Sequence, residues 1–156
     1  MTNLLTFTTE LMDHQARAVD KLQRVKVGAL YMDMGTGKTR TALDLAVRRK
    51  KEKRVDCILW LCPVSVKRTI ENELKKHLSG VVYEMVKTSG VQNWDADFYI
   101  AGLESISQSM SLEFVLLELV EKRRCFIVVD ESSLVKNHEA RRTRAIWRLG
   151  ERAQYK

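Results

Sequence analysis

Two uninterrupted apolar runs, Cys57 to Cys62 and Cys125 to Val129, constrain this fold more than any other feature of the chain. A strand with one wet face alternates apolar and polar side chains, so a strand that drops the alternation is buried on both faces. Such strands belong to parallel sheets, whose crossover connections are helices that cover the sheet. The segments around the two runs have the period this requires. Ala42, Leu45 and Ala46 share one face of a stretch from Lys38 to Lys50, and Val66, Ile70, Leu74 and Leu78 recur at helical spacing after Pro63. Leu112, Val115, Leu116, Leu119 and Val120 form a stripe ending in Lys122, Arg123 and Arg124, where cations suit the negative end of a helix. Val27 to Met32, Val81 to Val86 and Phe98 to Ala101 read as further strands, and the polar segment Thr88 to Asp97 as a loop. The expectation is an α/β fold: a mostly parallel sheet with helices on both faces. A chain of 156 residues is long enough for one sizeable core, so one domain over 1–156 is expected.

Ligands of open parallel sheets sit beyond the carboxyl ends of the strands. Two chemically expressive clusters fall there. After Met32 comes Asp33-Met34-Gly35-Thr36-Gly37-Lys38-Thr39. Glycines let backbone N–H groups approach phosphates, Lys38 suits the β and γ charges, Thr39 offers magnesium a hydroxyl, and the helix starting near Lys38 adds its positive end. The early glycine of the full phosphate-loop pattern is replaced by Met32. The shorter pattern G-x-G-K-[ST] still arises by chance in only ~1% of chains this long. The bland alternative is a glycine turn with Lys38 solvated. After Val129 come Asp130 and Glu131. A nucleotide-hydrolysing site needs a carboxylate for the metal, here Asp130, and a group that activates water, here Glu131. Taken alone, this pair could equally be an acidic turn; with the loop it reads as catalytic, alongside Lys38.

The formal charge of +7 points to a polyanionic partner only if the cations lie on a binding surface. Arg48 to Arg54 reads as a solvated helix end. Arg141, Arg144 and Arg148 share a helical face, with Ala140, Thr143, Ile146 and Trp147 turned to the core, and that face is either a DNA contact or simply solvated. Cys57, Cys62 and Cys125 lack metal-ligand spacing and read as buried reduced thiols. The sequence has neither a bilayer-length apolar stretch nor a secretory start, so a cytoplasmic protein with no membrane partner is expected.

Together these motifs resemble the first RecA-like lobe of superfamily-two helicases, most closely that of Swi/Snf-type DNA translocases. Leu11-Met12-Asp13-His14-Gln15 is similar to the family's L-R-P-Y-Q, with Gln15 in the place of the adenine-reading glutamine and Met12 in that of the arginine. The loop from Asp33 to Thr39 resembles D-E-M-G-L-G-K-T, which also lacks the early glycine; by this likeness Met34, Gly35, Thr36, Gly37, Lys38 and Thr39 hold the nucleotide. Leu61-Cys62-Pro63-Val64-Ser65 resembles motif Ia, a backbone-gripping strand end, which assigns Ser65 and the nearby Lys67 to nucleic acid; Ser65 could also be a helix N-cap. Ala101-Gly102-Leu103-Glu104-Ser105 stands where the family has T-T-Y-E and adds Gly102 to that set, with Arg141 further on. Asp130 to Asn137 is similar to D-E-A-H-R-L-K-N, with Ser133 in place of histidine.

The resemblance implies a RecA-like P-loop NTPase lobe that uses ATP and Mg²⁺, with Thr39 and Asp130 on the metal. It implies double-stranded DNA as partner, and a monomer. A second RecA-like lobe, absent from 1–156, would complete it, the chain stopping before motif III. That lobe supplies arginines worth ~10³–10⁵ in rate, so this polypeptide alone is expected to hydrolyse ATP feebly. A non-catalytic nucleotide- or DNA-binding module remains the alternative; another P-loop enzyme is disfavoured by the motif order.

Overall fold

The structure is a computed structural model and describes residues 4–32, 35–130 and 140–156. In chain order its elements are β1 (Thr6–Phe7), α1 (Asp13–Leu22), α2 (Lys38–Lys51), β2 (Cys57–Cys62), a 3₁₀ turn (Val64–Val66), α3 (Lys67–His77), β3 (Leu78–Ser79) and β4 (Tyr83–Met85). β5 (Phe98–Gly102), α4 (Leu103–Gln108), α5 (Met110–Lys122), β6 (Cys125–Val129) and α6 (Arg141–Arg152) follow. The main sheet has the order β4-β5-β2-β6 and is parallel throughout. A separate antiparallel pair, β1 with β3, ties the N-terminal segment to the end of α3.

The runs that lack alternation are buried on both faces, and the pleat divides them between two cores. Leu59, Leu61, Tyr99, Ala101 and Ile127 face one core, closed by residues of α4, α5 and α6. Ile58, Trp60, Ile100 and Phe126 face the other, closed by residues of α1, α2 and α3. The expected α/β architecture with helices on both faces is therefore the one observed. β2 stops at Pro63, which has no N–H for a ladder and instead accepts a 2.9 Å bond from Val66 N–H to open the 3₁₀ turn. Ser109 begins α5 by accepting from Leu112 N–H at 3.3 Å. All three cysteines are buried and free, as read. Among the described residues no helix is long and apolar enough to cross a membrane.

Three expectations are corrected. Val27 to Met32 is not a strand: only its first residues find ladder partners, and Tyr31 is 95% exposed. Apolar composition cannot make a strand where the backbone has no neighbour to bond. The basic run Arg48 to Arg54 is not merely a solvated helix end. Arg49 is buried, donates to Leu22 O (2.9 Å) and Val25 O (2.7 Å), and stacks on the rings of Phe126 and Tyr155. Lys50 pairs with Asp97, and Arg48 with the buried Asp44. Finally, Trp147 does not face the core but is 52% exposed, whereas Thr143 and Ile146 on the same helix are buried. α4 and the β1/β3 pair are too short to leave a periodic signal.

Candidate nucleotide site

The phosphate loop depends on backbone forms that glycine supplies. Gly35 and Gly37 have φ of 78° and 79°, the left-handed region, and Gly37 is the N-cap of α2. Gly37 is needed a second time for space: a Cβ there would lie 2.2 Å from Gln15 Nε2. That closeness is bonding. Gln15 Nε2 donates to Gly37 O at 3.2 Å and to Thr36 O at 3.4 Å, and its Oε1 accepts from Met12 N–H at 2.9 Å. His14 adds a donor, its Nε2 lying 2.9 Å from Thr36 O; since a carbonyl only accepts, Nε2 carries the proton. The first turn of α1 thus holds the loop carbonyls.

Lys38 and Thr39 open α2, with Lys38 exposed and Thr39 half-buried. Both line a cavity of about 660 Å³ that Asp130, just past the carboxyl end of β6, also lines. Asp130 N–H donates to Leu61 O at 2.8 Å, which fixes the residue against the end of β2. Burial, reinforced by the Asp130 carboxylate, pushes the neighbouring Cys62 thiol up to about 12, so it stays protonated and inert near neutrality.

The structure therefore brings Lys38, Thr39 and Asp130 together, with Gly35, Thr36 and Gly37 leading into them and Gln15 behind. Gln15 itself is only 4% exposed and engaged with the loop rather than turned toward a base. Met34 and Glu131, together with Asp33 and Ser132 to Asn137, lie outside the described residues. His14 was missed by sequence reasoning; its place beside Gln15 in the first turn of α1 was the available signal.

The residues assigned to nucleic acid form a second group. Ser65 is exposed in the turn after β2, Lys67 starts α3, and Gly102 ends β5. Ser65 does not cap α3: the N-cap is Val66, without a side-chain bond. Glu104 joins the two strand ends by accepting from Val64 N–H at 2.8 Å, and a Cβ on Gly102 would stand 2.5 Å from Val64 Cγ2. Arg141 is exposed at the start of α6, and nothing among the described residues ties it to that group. Arg148 is held by Glu113 of α5, its Nε donating at 2.7 Å, so its role is internal.

A parallel sheet with helices on both faces, a glycine loop capping a helix, and a carboxylate at a strand end facing that loop's lysine define a helicase-type RecA-like lobe. The chain belongs to the family described as "Type III restriction enzyme, res subunit", whose profile matches residues 8–146. No curated protein matches the sequence significantly. Among solved structures it is similar to the Sulfolobus solfataricus SWI2/SNF2 ATPase core in complex with dsDNA, with TM-score 0.74 and 21% identity over 92% of this chain and 30% of that one. The Sulfolobus solfataricus SWI2/SNF2 ATPase core domain matches with TM-score 0.72 and 23% identity over 90% of this chain and 29% of that one. The chain thus spans less than a third of the length of these structures.

Proposed function

We propose that the chain is the ATP-binding lobe of a DNA-dependent ATPase of translocase type, which turns over ATP when joined by a second lobe. The observation that carries this reading is the convergence of Lys38, Thr39 and Asp130 on one cavity. The loop carbonyls are engaged by His14 and Gln15, which leaves the loop amides to meet phosphate oxygens. Lys38 balances the β and γ charges. A hydroxyl and a carboxylate are hard oxygen donors of the kind magnesium takes, so Thr39 and Asp130 fit the ion in chemistry and in sharing a cavity. When bound, Mg²⁺ offsets charge on the phosphate oxygens. Glu131 is assigned to orient and deprotonate the attacking water. Ser65, Lys67 and Gly102, at the carboxyl ends of β2 and β5, are assigned to a DNA backbone, with Arg141 a further contact. The double-stranded DNA bound by the Sulfolobus core supports that choice of partner.

Titration of a fluorescent ATP analogue with Mg²⁺ tests the reading. Lys38→Ala is expected to weaken binding by at least ~10-fold, the loss of one charge-assisted contact. Glu131→Gln should leave binding intact while abolishing whatever hydrolysis the parent chain supports. Equal affinity of the Lys38→Ala chain and the parent would overturn the assignment. Undiminished hydrolysis by Glu131→Gln would remove Glu131 from it.

A further inference from the structure

Tyr155 and Lys156 form a two-residue strand fragment with a partner on each side. Tyr155 lies beside Phe126 in parallel register, with Ile127 N–H donating to Tyr155 O at 2.9 Å and Gln154 N–H to Cys125 O at 2.9 Å. On the opposite side Lys156 N–H donates to Lys26 O at 2.9 Å, and Gly28 N–H to Lys156 O at 3.0 Å. These two bonds are one step of a parallel ladder, centred on Val27. Both flanks run on past Lys156. β6 continues through Val129, and its bonds to β2 use alternate residues, as the Asp130 N–H to Leu61 O bond shows. The peptide groups of Ile127 and Val129 consequently face the open edge. Across from them runs Gly28 to Met32, the apolar segment that fails to form a strand.

The space between these flanks is hollow on both faces of the sheet. The 660 Å³ cavity lies on the α1/α2 side, lined by Ala42, Leu45 and Trp60 as well as by both flanks. A second cavity of about 410 Å³ lies on the α6 side, lined by Ile127, Val129, Ile146 and Trp147. The fragment already alternates between these sides. The Tyr155 ring meets Arg49 and packs edge-on to Phe126, while Lys156 turns to α6 and donates from Nζ to Gly150 O at 2.9 Å. Two buried donors in the first cavity, Arg49 Nε and Trp60 Nε1, have no hydrogen-bond partner among the described residues.

We propose that the open edge of β6 is a strand-acceptor site whose occupant is an extended segment joined to Lys156 and running parallel to β6. Its first residue donates to Ile127 O, accepts from Val129 N–H and faces the cavity that holds the two unpartnered donors, so an acceptor such as a threonine hydroxyl suits it. Its second residue donates to Gly28 O, accepts from Leu30 N–H and points at Ile146 and Trp147, where an aliphatic side chain fits. Reaching Asp130 takes about three residues at roughly 3.3 Å each. Proline is excluded at both bonded positions, because it has no N–H. Occupied, the site converts Val27 to Met32 into a strand and fixes the phosphate loop relative to Asp130. The inference needs no nucleotide, so its test is separate from that of the proposed function.

The experiment extends the full chain after Lys156 by Thr-Val-Val-Ile and, as control, by Pro-Pro-Val-Ile. Amide exchange and thermal unfolding are then compared with the unextended chain. The first extension should slow exchange at Leu30 and Val129 by at least ~10-fold, the signature of newly bonded amides, and raise Tm by several degrees; the control should do neither. Equal behaviour of the two extensions overturns the proposal. So does protection that appears in the unextended chain only as its concentration rises, which would assign the edge to a second copy. Equal protection by the free tetrapeptide, added without covalent attachment, would assign it to a partner instead.

Discussion

Cys57 to Cys62 and Val27 to Met32 are similar pieces of sequence: short, apolar, and ending at a turn that leads into a helix. One is the centre of the sheet and wholly buried; the other leaves it after a single ladder step and exposes Tyr31 almost completely. The difference lies in their neighbours. β2 has β5 on one side and β6 on the other, so each of its peptide groups is bonded and each side chain has a core to enter. Val27 to Met32 has a partner only as far as Lys156 reaches. Apolar composition makes a segment eligible for a sheet, and flanking backbone admits it.

Three substitutions can break or sharpen this contrast. The largest effect is expected at Trp60, 1% exposed on β2: Trp60→Ala should cost about 3–5 kcal/mol in urea unfolding. A loss under about 1 kcal/mol would show that β2 is not the packed member of the pair. Next comes Arg49, which holds the turn leading into Val27 through Leu22 O and Val25 O. Arg49→Met should cost about 2 kcal/mol, the range for charge-assisted bonds, and should speed amide exchange across 23–28. Lost stability without faster exchange there would detach Arg49 from the turn. The smallest effect is expected at Tyr31→Ser, within about 0.5 kcal/mol as for other exposed positions. A cost above about 1 kcal/mol would mean that this segment is already packed.

Most of the sheet was legible because its strands are buried on both faces and therefore lose alternation. β2 and β6 have the bounds their apolar runs predict, and β5 is longer by Gly102 alone. The phosphate loop and Asp130 could be read from residue types that phosphate and magnesium chemistry require. What escaped reading depends on distant partners. Whether Val27 to Met32 is a strand is decided by Lys156, and whether Arg49 is solvated is decided by Phe126, Tyr155 and two carbonyls far back in the chain. Trp147 misled because large aromatics usually point inward from amphipathic helices, whereas here it borders the cavity beside the open edge.

The fit between Gly37 and Gln15 has a consequence for how this sequence can drift. The amide of one occupies the volume that any side chain on the other would claim, and the same amide binds the carbonyl of the residue it crowds. A longer residue at 37 would dislodge α1, and a shorter one at 15 would release the loop carbonyls, so neither change alone keeps both helices in place. The two positions form one unit of inheritance, open to replacement only in concert, even though a loop and a helix separate them along the chain.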